Sequence, residues 1–305
     1  MFSTMPHISN AQDALASIEA MRMQEETGYK TEDYMSQAQP EVRSCRGPQQ
    51  QQVDKECRSK MSEWCFQVVD FCKFNRDTVA IAMSYLDRFL MTSSGSEALK
   101  DRKIFQLAAM TCLYTAIKIH EPEAMEPKVV ASLSRGAYSE DEVTYMEQQI
   151  LVAIQWRMNP PTAMSFVHHF MCLVPEGAMT ENEREATIEV AKFQTELAVN
   201  SYEFVGVNAS TVAFAALTNS LQCSESNRSV EFELLTAMSK AANINGDCYE
   251  MVNVQDTLYE AVQNASTGPS DSGLRSTTVS KTMESNMGSS SRSIHTSPRS
   301  VYTAN

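Results

Sequence analysis

The stretch from Leu107 to Ile119 constrains the fold more than any other part of the chain. It reads Leu-Ala-Ala-Met-Thr-Cys-Leu-Tyr-Thr-Ala-Ile-Lys-Ile, with no glycine, no proline and no charge before Lys118. Its apolar residues run round the whole helical circumference, which is typical of a helix covered on every side. The uncharged run from Ile104 to Ile117 is too short to span a bilayer. We therefore interpret it as the buried central helix of an all-helical domain.

Length and composition set further limits. A chain of 305 residues has room for two domains, and 43 % hydrophobic residues are enough to bury a core. The net charge of −13 argues against direct binding to nucleic acid. The 8 cysteines form no C-x-x-C pair, which indicates reduced thiols. Neither a secretory signal nor a membrane span is recognisable, so we expect no membrane association.

Helical spacing predicts five helices between residues 55 and 160, with the buried stretch as the third. Asp77 is expected to cap the second helix. Pro127 suits the first turn of the fourth helix. Ser139 and Glu142 have the spacing of a capping box, which opens the fifth. These residues form the first predicted domain.

A second domain of five helices is predicted for residues 161–264, and its third helix, near 208–221, is again weakly charged. The fold class is therefore all-α, with two tandem five-helix domains. Residues 1–54 are interpreted as a largely flexible N-terminal extension, within which 13–23 fits a short amphipathic helix. The Ser/Thr-rich tail, 265–305, has almost no apolar periodicity, and we expect it to be disordered.

Two charged residues interrupt apolar helix faces. Glu147 lies four residues after Val143 and three before Ile150, on the apolar face of the fifth helix. Lys118 continues the helical line through Thr111 in the third helix. Because a buried, unpaired charge is costly, each must be paired or must face another molecule. An internal Lys118–Glu147 salt bridge and a partner contact are both open alternatives.

No pattern for catalysis or metal binding was found. The phosphate-binding loop, the H-E-x-x-H zinc motif and the G-x-S-x-G nucleophile turn are all absent. His168 and His169 have no cysteine or carboxylate at ligand spacing beside them, so we interpret them as one core and one surface histidine. The chain is predicted not to be an enzyme and to need neither cofactor nor metal.

Residues 55–160 resemble the cyclin box. The resemblance continues through the second half to about residue 263, where 156–176 and 208–215 are similar to D-type cyclins. The matching residues of the first half are Arg58, Met61, Trp64, Met83-Ser-Tyr-Leu-Asp-Arg-Phe-Leu90, Leu107 to Lys118, Met146, Glu147 and Leu151.

The resemblance implies a regulatory, activating subunit of a cyclin-dependent protein kinase that controls cell-cycle entry or progression. Lys118 and Glu147 match the cyclin pair that hydrogen-bonds the mobile αC helix of the kinase, which favours the active kinase conformation. Ile119, Leu151 and Trp156 match apolar contacts to the same kinase lobe. The family also implies a location in the nucleus and cytoplasm.

The resemblance further implies a groove for Arg-x-Leu peptides of substrates or inhibitors. Met61, Trp64 and Gln67 match positions of this groove, although Gln67 does so only in some members. Lys60 replaces an apolar residue, and we expect a cation there to weaken docking. The alternative for Trp64, which the pattern favours, is a core residue.

Two further expectations concern function. A transcription-related scaffold of cyclin fold, without kinase activation, is the alternative function; it predicts basic surfaces, whereas the chain has 25 basic and 38 acidic residues. Ser297, in the only Ser/Thr-Pro dipeptide of the chain, is a candidate phosphorylation site in the tail.

Overall fold

The computed structural model describes residues 11–37, 53–222, 228–246 and 248–267. Within these ranges it contains twelve α-helices, one 3-10 turn and no strand, which confirms the all-helical fold class. None of the helices in the described ranges has the length and apolarity that crossing a membrane requires. The helices are α1 (Ala11–Thr27), α2 (Tyr34–Gln37), α3 (Lys55–Cys72), α4 (Asp77–Leu90), α5 (Arg102–His120), α6 (Pro127–Leu133), α7 (Glu140–Ala153), α8 (Ala163–Met171), α9 (Glu181–Asn200), α10 (Ala209–Gln222), α11 (Arg228–Ala242) and α12 (Tyr249–Thr267), with the 3-10 turn at Tyr202–Phe204.

Contacts divide the chain into two compact units. The first, which we call the α5 unit, contains Thr31–Asn159 and Val199–Val205. Every residue of α5 from Phe105 to Ile117 is buried, as the uncharged sequence predicts. Helices α3, α4, α6 and α7 pack against it. The predicted capping box is present at the start of α7, where Glu142 N–H donates to Ser139 Oγ over 3.2 Å and Ser139 N–H donates to the Glu142 carboxylate over 2.8 Å.

A buried ion pair joins α3 to α4 in this unit. Arg58 donates to both carboxylate oxygens of Asp87, over 2.9 and 2.7 Å, and to the backbone carbonyl of Val199 over 2.9 Å. The Tyr34 hydroxyl donates to the same carboxylate over 2.8 Å. Arg58 is 3 % exposed and Asp87 5 %, so this carboxylate depends on protein donors for its solvation.

The second, or α10, unit contains the described residues of Met1–Lys30, Pro160–Ala198 and Gly206–Thr267. Helix α10 is buried along most of its length and packs against α8, α11 and α12. Helix α1 packs against α8 and α11, with Ala14 and Ile18 fully buried. Much of the described segment before residue 55 is thus helical: α1 contains the helix expected at 13–23, and α2 follows, where the sequence predicts a largely flexible extension. The reason is tertiary: α1 is stabilised by residues far along the chain.

A buried carboxylate fixes α1 to the first turn of α10. Glu25, 4 % exposed, accepts hydrogen bonds from the backbone N–H and the hydroxyl of Ser210. Arg22 donates to Glu25 over 2.7 Å and to Ser210 Oγ over 3.0 Å. The carboxylate therefore satisfies an N–H group that the helix itself leaves unpaired, where the helix dipole favours a negative charge.

We expect Glu25→Ala to lower the free energy of unfolding by about 1–3 kcal/mol, because it leaves the buried Ser210 N–H and Arg22 without their acceptor. Glu26→Ala is the matched control: Glu26 accepts from the same Arg22, over 2.6 Å, but its side chain is 53 % exposed. Loss of such a surface pair should cost less than about 1 kcal/mol. Denaturant unfolding of both variants measures the difference, and equal costs would contradict the role of Glu25.

Three local details differ from the sequence expectations or lie outside the described residues. Asp77 is the first residue of α4 and not its cap; its N–H donates over 3.0 Å to the side chain of Asn75. The sequence predicts that the helix after Ser139 extends to about Gln155, but α7 ends at Ala153. Of the predicted disordered tail, 265–267 belong to α12, whereas 268–305, with Ser297, lie outside the described residues.

Candidate functional site

The two charges that interrupt apolar faces meet between α5 and α7. Lys118 Nζ lies 3.2 Å from each carboxylate oxygen of Glu147. The Glu147 side chain is 12 % exposed, whereas that of Lys118 is 47 % exposed. The internal salt bridge is therefore formed, and the half-exposed ammonium can still donate towards a molecule outside. An internal Lys118–Glu147 salt bridge and a contact with a partner are therefore compatible with each other.

Neighbouring groups keep Lys118 charged. Thr115 Oγ1 lies 3.3 Å from the Glu147 carboxylate, and Lys118 Nζ lies 5.5 Å from the centre of the Tyr114 ring, within the range of a cation–π contact. Partial burial alone would lower the pKa of Lys118, but the hydrogen bond and negative charge of Glu147 outweigh it and raise this pKa. The Lys118 side chain is thus a stable cation at neutral pH.

Apolar side chains flank the pair. Ile119 is 46 % exposed, Trp156 is 67 % exposed, and Leu151 is partly buried one helical turn after Glu147. The backbone N–H of Trp156 donates to the Leu151 carbonyl over 2.9 Å. We call these five residues, Lys118, Ile119, Glu147, Leu151 and Trp156, the α5–α7 surface. Exposed apolar residues around a desolvated ion pair are typical of a protein interface.

The structure does not support the predicted peptide groove. Met61 is 0 % and Trp64 3 % exposed, so two of its three predicted residues lie in the core, and only Gln67 is exposed. The cause is the packing of α3 against α4 and α5, which covers the face that contains both apolar residues. On the outer face, Lys60 pairs with Glu56 over 2.6 Å. Trp64 is therefore a core residue, the interpretation that the pattern favours.

Comparison with known proteins finds similarity to cyclins. Residues 17–159 match the model of the cyclin N-terminal domain. G1/S-specific cyclin-D1 of Bos taurus is 24 % identical over 217 residues, which are 70 % of this chain and 71 % of that protein. Residues 17–159 therefore correspond to a cyclin N-terminal domain. Cyclin-B1-1 of Oryza sativa is 28 % identical over 169 residues, and putative cyclin-A3-1 of Arabidopsis thaliana is 27 % identical over 169 residues. The matched regions are only 36 % and 45 % of those two relatives.

Solved structures show the same fold. A viral cyclin from herpesvirus saimiri superposes with a TM-score of 0.58 at 15 % identity, and the match covers 81 % of this chain and 97 % of the viral cyclin. The CAK complex of Chaetomium thermophilum bound to ATP-γ-S gives a TM-score of 0.50 at 12 % identity, with coverage of 83 % and 78 %. At these identities the likeness establishes the fold.

The sequence interpretation missed one short pattern of the family. Residues 221–225 read Leu-Gln-Cys-Ser-Glu, which fits the Leu-x-Cys-x-Glu pattern that D-type cyclins use to bind retinoblastoma proteins. Leu221 is 1 % exposed at the end of α10, and 223–225 lie outside the described residues. The Leu221 side chain lies in the core and is therefore not available to a partner in this structure.

Proposed function

We propose that this protein acts as a cyclin, a non-catalytic, activating subunit of a cyclin-dependent protein kinase that controls cell-cycle entry or progression. The observation that carries the proposal is the α5–α7 surface, where a buried carboxylate holds a half-exposed lysine beside exposed Ile119 and Trp156. The names of its relatives, G1/S-specific cyclin-D1 among them, support the same function.

In this proposal the surface selects one conformation of the kinase. Lys118 and Glu147 hydrogen-bond the mobile αC helix, while Ile119, Leu151 and Trp156 bury apolar area on the same lobe. Binding this arrangement better than the inactive one shifts the population towards the active kinase. The kinase then forms its own Lys–Glu ion pair and orients the ATP phosphates, so all catalytic groups belong to the kinase.

Copurification tests the proposal. A tagged chain expressed in its own cells should retain a protein kinase, and the complex should phosphorylate a generic Ser/Thr-Pro substrate. Trp156→Ala should reduce the retained kinase. The alternative, a transcription-related scaffold of cyclin fold without kinase activation, would instead retain nucleic-acid-bound complexes with no kinase. The excess of 38 acidic over 25 basic residues argues against that alternative.

We further propose that the chain works in the nucleus and cytoplasm and that its tail controls its lifetime. Phosphate on Ser297 would add about −1.5 to −2 charges close to Arg299 and create an element that a degradation factor can read. Truncation after Thr267, the last residue of α12, removes the tail and leaves every described helix whole. The truncated chain should bind kinase normally and decay more slowly in a pulse-chase. Equal decay rates of the full-length and truncated chains would show that the tail has no role in turnover of the protein.

A further inference from the structure

The segment that follows α7 has an unusual backbone. Gln155 and Trp156 are consecutive and both lie in the left-handed region, with φ of 58° and 59°. This region is unfavourable for residues with a Cβ, and most of all for a bulky one such as tryptophan. Trp156 is also 67 % exposed, so burial of its own ring does not offset the strain. Such strain persists only where surrounding contacts fix the backbone, and it is frequent at functional sites.

Three side chains from α4 and α5 provide these contacts. Tyr85 donates a hydrogen bond from its hydroxyl to the carbonyl of Met158. His120 Nε2 lies 3.0 Å from that carbonyl and 3.0 Å from the Tyr85 hydroxyl. Arg88 Nη2 donates to the carbonyl of Arg157 over 2.9 Å. The two carbonyls that follow the strained pair are thus both held by side chains of the surrounding helices.

The hydrogen-bond pattern sets the direction of these contacts. A carbonyl oxygen only accepts, so His120 must carry its proton on Nε2 when it bonds to Met158. Two donors then converge on one carbonyl from two different helices. Tyr85 is 0 % and Arg88 7 % exposed, so neither donor exchanges its bond freely for water. His120 lies two residues after Lys118, which connects the segment to the end of α5.

We infer that Tyr85, Arg88 and His120 are positioning residues, which hold residues 155–158 so that Trp156 is presented as a preformed anchor for the kinase. This inference rests on the proposed function, in which the α5–α7 surface binds the kinase lobe. Its physical basis is preorganisation: an anchor that is already ordered loses less conformational freedom on binding. The partner side of the contact is an apolar pocket that accepts an indole ring.

Fluorescence can test the positioning without any partner. The chain has two tryptophans, so in a Trp64→Phe background Trp156 is the only emitter. We expect Tyr85→Phe to lower the steady-state anisotropy of Trp156, since the Met158 carbonyl loses one of its two donors. Tyr138→Phe is the matched control, because Tyr138 also donates from a buried position to a backbone carbonyl, that of Lys103, over 2.8 Å. Lys103 lies in the first turn of α5, far along the helix from His120.

Kinase binding provides the second measurement. Tyr85→Phe should weaken binding of the copurified kinase by about two- to tenfold, the cost of ordering one large side chain on association. Tyr138→Phe should bind like the parent. His120→Gln, which keeps an N–H donor, should bind the kinase more tightly than His120→Leu. If Tyr85→Phe does not fold, the comparison of these two His120 variants takes its place.

Each outcome decides the inference. Lower anisotropy together with weaker binding in Tyr85→Phe, but not in Tyr138→Phe, supports it. Equal anisotropy in the two variants overturns the positioning role. Lower anisotropy with unchanged binding overturns the role of the segment in docking. A parent chain that retains no kinase would overturn the proposed function instead, and the anisotropy comparison would still decide whether Tyr85 positions Trp156.

Discussion

Lys118→Ala and Glu147→Ala are each expected to weaken kinase binding by about 2–5 kcal/mol, the range for truncating one member of a desolvated, hydrogen-bonded charge pair at an interface. Either substitution removes one half of a pair whose atoms lie 3.2 Å apart and leaves the other half without its counter-charge. Calorimetric titration of the copurified kinase with each purified variant measures the loss of binding free energy.

The two variants should differ in stability. Lys118→Ala leaves a glutamate side chain that is only 12 % exposed, whereas Glu147→Ala leaves a lysine side chain that is 47 % exposed. A buried charge without a partner costs more than an exposed one, so Lys118→Ala should lower the unfolding midpoint further. Lys60→Ala is the control, because Lys60 forms an ion pair with the exposed Glu56 on α3, outside the α5–α7 surface. If both site variants unfold, the pair serves only the fold; if both bind normally, its assignment to kinase binding is wrong.

Asp87→Ala is expected to be the most damaging single change to stability, at about 3–5 kcal/mol, because it leaves the buried Arg58 without its counter-ion. The lost carboxylate accepts two bonds from Arg58 and one from Tyr34. Its negative charge raises the pKa of Arg58 against the opposing effect of burial. A guanidinium is protonated in proteins even without such a partner, so Asp87→Ala leaves a buried positive charge. Chemical denaturation gives the change in free energy of unfolding.

Asp70→Ala is the matched control for this prediction. Asp70 pairs with Arg76 in the same unit over 2.5 Å, but its side chain is 43 % exposed. Loss of such a surface pair should cost no more than about 1 kcal/mol. A cost for Asp87→Ala that is no larger than that for Asp70→Ala would show that the buried pair contributes little to the fold.

The sequence alone was enough to predict most of the helices, because the determinants of a helix are local. The capping box of Ser139 and Glu142 lies within four residues, and the uncharged face of α5 follows directly from its composition. The conflict between a charge and an apolar face also showed Glu147 and Lys118 to be unusual before any coordinates were considered. The five-helix plan of each domain followed from the same short-range patterns.

Tertiary structure decided what depends on distant parts of the chain. The contact between Arg22 and Ser210 joins residues 188 positions apart, so the sequence around α1 predicts a short amphipathic helix but not the residues that cover it. Likewise Trp64 fits either a groove or a core by its spacing, and only the packing of α3 against α4 and α5 places it inside.

The end of α7 shows most clearly that local sequence alone does not determine the backbone conformation. The apolar pattern favours a helix as far as Gln155, yet the helix ends at Ala153 and two residues adopt left-handed backbone conformations. Neither glycine nor asparagine marks this position in the sequence. The conformation also depends on bonds from Tyr85, Arg88 and His120, which lie 73, 69 and 38 residues from the carbonyls they contact. Local preference opposes this backbone, and side chains of the assembled α5 unit add donors to the local bond from Trp156 N–H to the Leu151 carbonyl.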